Sequence, residues 1–219
     1  SYLFTRATYQ GFDMNRDHMA LKAPELAYLH TAYRYFMPEV AIDFHEFGFY
    51  GVTEDGYMRN ADDLQVTPAT SLNDDERVTQ LGLDAVDALH RNAEDSGLRV
   101  YHYGITVNNP IGRAYYGLYN SLSVLVETRG IGAGATNFER RVYSQQLSAH
   151  SIIDYAVAND DAINEAVADA RLQVIADGEA FNSDDIVVLH QVASGATQSA
   201  TPLTRYQYSV DGSDTKTSS

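Results

Sequence analysis

Cysteine is absent from the 219 residues. That excludes disulfides and thiolate metal sites, so any transition-metal site has to be built from histidine and carboxylates. Basic residues are scarce: 15 Lys and Arg stand against 30 Asp and Glu, a formal net charge of −15. Nucleic acid is disfavoured as a partner on this ground, because phosphate binding needs clustered cations. The charge favours solubility and leaves the substrate undefined. No apolar run approaches the roughly 18 residues that cross a bilayer, so no membrane partner is expected. The opening SYLFTRATYQGFD has no basic segment leading into an apolar stretch, and so shows no signal peptide.

What is present suits one domain, or one domain with an appendage. Apolar residues make up 44% of the chain, enough for a sizeable core. Four segments have helical periodicity. The first is 23–36, with Pro24 at its start and Leu26, Leu29, Tyr33 and Phe36 near one face. The second is 74–95, where Asn73 and Glu76 resemble a capping box and Val78, Leu81, Ala85 and Leu89 form the stripe. The third is 138–158, with Val142, Ala149, Ile152 and Ala156 expected inward. The fourth follows Asn159 as cap, with Ile163, Val167, Ala170 and Val174 at helical spacing. Compact apolar runs at 40–44, 100–105, 123–126 and 185–190 predict buried strands. Strands interleaved with long helices indicate an α/β layered fold. The stretches 48–73 and 130–137 are expected to be loops.

Three strings carry candidate chemistry. Asn15-Arg16-Asp17 follows Gly11 and precedes the first helix, offering an amide and a guanidinium fork suited to a planar carboxylate. Asp43-Phe44-His45-Glu46 puts a histidine at the end of an apolar strand, where open α/β sheets bind ligands. Asp43 shares a strand face with His45 if the strand continues through it, and could then orient the ring. Val126-Glu127-Thr128-Arg129-Gly130 ends another buried strand in a carboxylate, where burial raises a glutamate towards the range useful for proton transfer.

In this order, NRD at 15–17, DFHE at 43–46 and VETRG at 126–130 resemble the zinc carboxypeptidase family, the carboxypeptidase A-like metallopeptidases. The resemblance runs from about Phe12 to the helices ending near Asp177. It implies a partial three-layer α/β fold with a mixed central β-sheet flanked by helices. It implies zinc as cofactor, and a peptide with a free C-terminal carboxylate as substrate. Carried over residue by residue, Asn15 and Arg16 would bind that carboxylate, His45 would ligate zinc, and Glu127 would be the catalytic base. Arg113 lies where the family shapes its side-chain pocket, with a surface role as the alternative. Tyr103, Tyr115 and Tyr116 are candidates for the family's mobile tyrosine.

One departure matters more than these matches. The family takes its first two zinc ligands from an H-x-x-E string upstream of the Asn-Arg loop. None of the histidines at 18, 30, 45, 90, 102, 150 and 190 has a glutamate three residues later. The expectation is therefore residues 1–182 as a partial catalytic domain lacking its N-terminal part. Residues 183–219 are expected to hold an extra strand and a disordered polar tail. Three readings follow: a truncated metallocarboxypeptidase chain, inert by itself; a metal-free pseudoenzyme binding peptide C-termini; or a related zinc deacylase or amidase. Missing upstream strands would leave an exposed sheet edge, so a homo-oligomer is expected. Secretion or a periplasmic location follows from the resemblance alone.

Overall fold

The computed structural model describes residues 7–48, 62–102, 110–131, 134–180 and 182, and the backbone of 57–58, 205–209 and 215–218. In chain order the elements are α1 (Pro24–Phe36), β1 (Val40–Gly48), β2 (Tyr57–Met58), β3 (Leu64–Pro68), α2 (Glu76–Asp95), β4 (Val100–His102), α3 (Gly112–Gly117), β5 (Leu122–Ile131), α4 (Phe138–Ala158), α5 (Asp160–Glu179), β6 (Arg205–Ser209) and β7 (Thr215–Ser218). A four-stranded sheet runs β1-β5-β3-β4. Its β1–β5 and β3–β4 pairs are parallel, and β3–β5 is antiparallel. The sheet is mixed and helices flank it, as an α/β layered fold requires.

Alternation along the strands divides the sheet into two faces. Leu64, Val66, Val124 and Val126 point to one face and pack with Val86 and Leu89 of α2, Ile152 of α4 and Val167 of α5. The other face carries Asp43, His45 and Glu127, and α3 lies against β1 and β5 there. The apolar face makes the core, and the polar face is left for the site.

Several local expectations are corrected. The segment 48–73 contains β3, whose five residues are all buried. Polar Gln65 and Thr67 disguise it in the sequence, yet β3 is an interior strand with β5 on one edge and β4 on the other. Helix α2 is capped by Asp75, which accepts from the N–H groups of Arg77 (2.8 Å) and Val78 (3.3 Å), in place of the Asn73–Glu76 box. Leu29 and Phe36 of α1, Val142 of α4 and Val174 of α5 are exposed. On α4 the buried line is Ser144, Ser148, Ser151 and Ile152. Small residues let that helix approach closely, and Ser144 Oγ meets Thr128 Oγ1 of β5 at 2.8 Å. Asn159 makes no N-cap bond; its Nδ2 donates to Tyr155 O (2.8 Å) and closes α4.

The strand expected at 185–190 and most of the segment after 182 lie outside the described residues. Within the part expected to be a disordered tail, β6 and β7 pair antiparallel, and β2 pairs antiparallel with β6. The alternating Tyr206 and Tyr208 of β6 and the threonines of β7 are strand-favouring residues.

Candidate active site

The parallel register sets His45 opposite Glu127, and Asp43 opposite Leu125. Partners on adjacent strands project to the same face, so His45 and Glu127 stand side by side in the C-terminal halves of β1 and β5, and β5 continues beyond the glutamate to Ile131. Asp43, two residues before His45 on that face, places Oδ1 2.7 Å from His45 Nε2. Strand β1 therefore does continue through the histidine.

The Asn-Arg string forms a short 3-10 turn, Met14–Arg16, begun by Asp13, whose side chain accepts from Asn15 N–H at 3.0 Å. Asn15 Oδ1 accepts from the Gly112 N–H at 2.7 Å, which fixes the amide orientation, and Nδ2 then lies 3.1 Å from His45 Nε2. Two groups thus compete for one imidazole nitrogen. A neutral ring cannot both donate and accept there. The carboxylate is closer and charged, so the proton belongs on Nε2, donated to Asp43, and the lone pair on Nδ1.

Asp13, Asn15, His45 and Glu46 line a cleft of about 460 Å³ at this end of the sheet. Glu46 is held by Arg141 in a two-pronged pair, Nε to Oε1 and Nη2 to Oε2 at 2.8 Å each. A side chain at Gly130 would collide with that pair, which accounts for the glycine closing the VETRG string. Arg16 is exposed; its Nη1 donates to its neighbour's carbonyl, Asn15 O, at 2.6 Å, and it is not among the described lining of the cleft.

No family model matches the chain. It is similar to probable carboxypeptidase 2 of Trichophyton verrucosum (strain HKI 0517), at 31% identity over 185 residues covering 76% of this chain and 35% of that protein. Carboxypeptidase 2 of Trichophyton rubrum is matched at 31%, over 76% of this chain and 34% of the relative. A crystal structure of a metallo-carboxypeptidase from Burkholderia cenocepacia superposes with a TM-score of 0.53 at 17% identity, over 70% of this chain and 40% of that one. These similarities support a carboxypeptidase-like family for the chain. It spans about a third of the length of the curated relatives it matches.

Carboxypeptidase-like fold and metal-binding capacity are separate matters. Among the described residues there is no group of three or more His, Asp or Glu able to hold a metal ion. A catalytic zinc site normally has three protein ligands. The donors described in this carboxypeptidase-like chain do not by themselves fit zinc.

Arg113 on α3 is fully buried, which removes the surface alternative for it. It lies close enough to Asp74 to oppose the effect of burial there. Burial pushes that carboxyl up to about 6 against the Ser71 N–H and the Arg113 charge. Of the tyrosine candidates, Tyr103 lies outside the described residues. Tyr115 is buried and stacked on His30, ring centroids 3.8 Å apart, while Tyr116 is half-buried and stacked on Tyr33.

Sequence reasoning missed two groups. His18 and His30 are both buried, with Nδ1 of the first 2.9 Å from Nε2 of the second. Asp63, also buried, takes Arg99 on both oxygens at 2.7 Å and Arg129 at 3.3 Å, with Arg140 at 3.5 Å. Neither has a local signature; the adjacent acids Asp62-Asp63 before an apolar-polar alternation were the only hint of the second.

Proposed function

We propose that the chain carries the proton-transfer and carboxylate-recognition half of a metallocarboxypeptidase site, which removes the C-terminal residue from peptides. The observation that supports this most is the pairing of His45 with Glu127 across β1 and β5, with Asn15 against the same histidine. Glu127, in the C-terminal half of a buried strand, takes a proton from the attacking water and delivers it to the amine that leaves. Such a positioned base contributes about 10²–10⁴-fold. Asn15 and Arg16 hold the terminal carboxylate, Arg16 turning its fork from the Asn15 carbonyl towards the substrate. Arg113, from its buried place on α3, supports the wall of the side-chain pocket.

Zinc is the metal that the carboxypeptidase resemblance implies, and His45 is the residue that takes part in holding it. Its other ligands come from outside the described residues. On this reading the 219 residues alone bind no stoichiometric zinc and do not turn over peptide. Export from the cytoplasm accompanies the proposal; among the described residues no helix is long and apolar enough to cross a membrane.

The deciding experiment measures metal content after dialysis and hydrolysis of peptides with free and amidated C-termini. It uses this chain and the same chain joined to the residues encoded upstream. Activity that appears on extension, needs a free C-terminus and is lost in Glu127→Gln supports the proposal. Carboxylate binding that depends on Arg16 without turnover in either form favours a metal-free binding module. Equal turnover of the amidated peptide favours a deacylase or amidase.

A further inference from the structure

Behind Asp43 lies the buried His18–His30 pair, for which the functional reading has no task. His18 directly follows the Asn15–Arg16–Asp17 string and His30 sits midway along α1; they are 6% and 1% exposed. Burial, then the charge of the neighbouring ring, holds His18 down at about 4, and burial lowers His30 as well. Both rings are neutral near neutral pH. Two neutral imidazoles joined by one hydrogen bond share a single proton between the facing nitrogens, His18 Nδ1 and His30 Nε2.

The far side of His18 decides which ring donates. A methyl group added at Gly112 would lie 3.2 Å from His18 Nε2 and 2.8 Å from Asp43 Oδ2, so both atoms face one point beside that α-carbon. Asp43 Oδ1 is taken by His45. Asp43 Oδ2 is buried and has no hydrogen-bond partner among the described residues. A lone pair on His18 Nε2 would face a carboxylate oxygen that already lacks a donor; a proton there supplies one. The favourable arrangement has His30 Nε2–H donating to His18 Nδ1, and His18 carrying its proton on Nε2.

We propose that His18, held in its Nε2–H tautomer by His30, is a positioning residue that acts through Asp43 to keep the His45 proton on Nε2. The His18 N–H reaches Asp43 Oδ2 across one water. With one oxygen so engaged, the Asp43 carboxylate is locked in the orientation that accepts from His45 at Oδ1. The lone pair of His45 then stays on Nδ1. Gly112 is part of the device, since any side chain there would wedge between the two groups. The inference rests on the reading of His45 as the functional histidine of the site.

Long-range nitrogen-15 spectra of the histidine-labelled chain report the tautomer of each ring without metal or substrate. His18 and His45 are each expected mainly as Nε2–H. His18→Leu and His30→Phe should lower the His45 Nε2–H to Nδ1–H ratio by about twofold to tenfold, the factor carried by one net hydrogen bond. His18→Gln, whose amide offers an N–H at a similar place, should restore most of the ratio. His30→Phe keeps an aromatic ring on Tyr115, and it decides the matter if His18→Leu loses its dispersed amide spectrum. A His45 ratio unchanged in His30→Phe, or a wild-type His18 with its proton on Nδ1, overturns the proposal. Peptide turnover enters neither readout, so the peptidase reading and this one can fail separately.

Discussion

At the scale of single residues, burial does most to set the chemistry. Asp74 and His18 are both displaced by it, in opposite senses, to about 6 and about 4. The signs are opposite for stability too. Asp74 binds its proton more tightly folded than unfolded, so its contribution is complete below an unfolded value near 3.9 and is lost as pH rises through about 6. His18 binds its proton less tightly folded, so its contribution is complete above roughly 6.5 and is lost as pH falls towards 4. Asp74→Asn should therefore make stability rise more steeply with pH between 4 and 6 than in wild type. His18→Gln should make it rise less steeply. Each difference should be on the order of 1–3 kcal/mol across the window, measured by denaturant unfolding at several pH values. Parallel profiles for wild type and Asp74→Asn would place the Asp74 carboxyl back in the ordinary range.

At the scale of elements, Asp63 holds together parts that the backbone alone would not. Burial by itself would raise its carboxyl, but hydrogen bonding and charge from Arg99, with Arg140 beyond it, hold it below the usual carboxylate range. Arg99 precedes β4, Arg129 lies on β5 and Arg140 on α4, so one carboxylate ties three elements to the start of β3. The arginines compete for it, and Arg140 also donates to the Asp63 and Arg129 carbonyls. Asp63→Asn should cost about 3 kcal/mol. That is the lower end of the penalty for removing one partner of a buried pair, because the arginines keep contact with water. The pair Arg77–Asp169 is the control: its side chains are 54% and 50% exposed, and Arg77→Met should not change stability measurably. Equal effects of the two substitutions in chemical denaturation would show that the Asp63 cluster is no more than surface charge.

For the whole molecule, the sheet order leaves β1 and β4 at the edges. Strand β1 is nine residues long, and its outer side has no strand partner among the described residues. A long edge invites pairing with another chain, while a net charge of −15 opposes it by repulsion. Self-association is expected to win at high salt, where repulsion between chains is screened while backbone pairing is not. Sedimentation velocity should show species heavier than the 24.2 kDa chain that grow with salt and protein concentration. A monomer at all salt concentrations would mean that the edge is covered.

The local frame could be read from residue patterns alone. Apolar runs located β1 and β5, helical periodicity located the four long helices, and the three strings singled out Asn15, His45 and Glu127; both strands run on past the residues that the strings were expected to end on. Composition also determined what could not be built, since a chain without cysteine has no thiolate to offer. These features were legible because strand and helix periodicity and turn chemistry act over a few neighbouring residues. That His45 and Glu127 stand side by side came from the pairing of two strands far apart in the chain. A one-residue slip between β1 and β5 would have sent one of them into the core, and that register is set by packing of Ile42, Val124 and Val126 beneath the helices. The third partner of that sheet, β3, was hidden because it is an interior strand whose pairing with β5 and β4 is made between distant segments, while Gln65 and Thr67 give it a polar look in the sequence. The same holds for His18 against His30 and for Asp63 among its arginines. A buried charge or imidazole is defined by partners brought in from distant segments, and no local pattern records which partners those are.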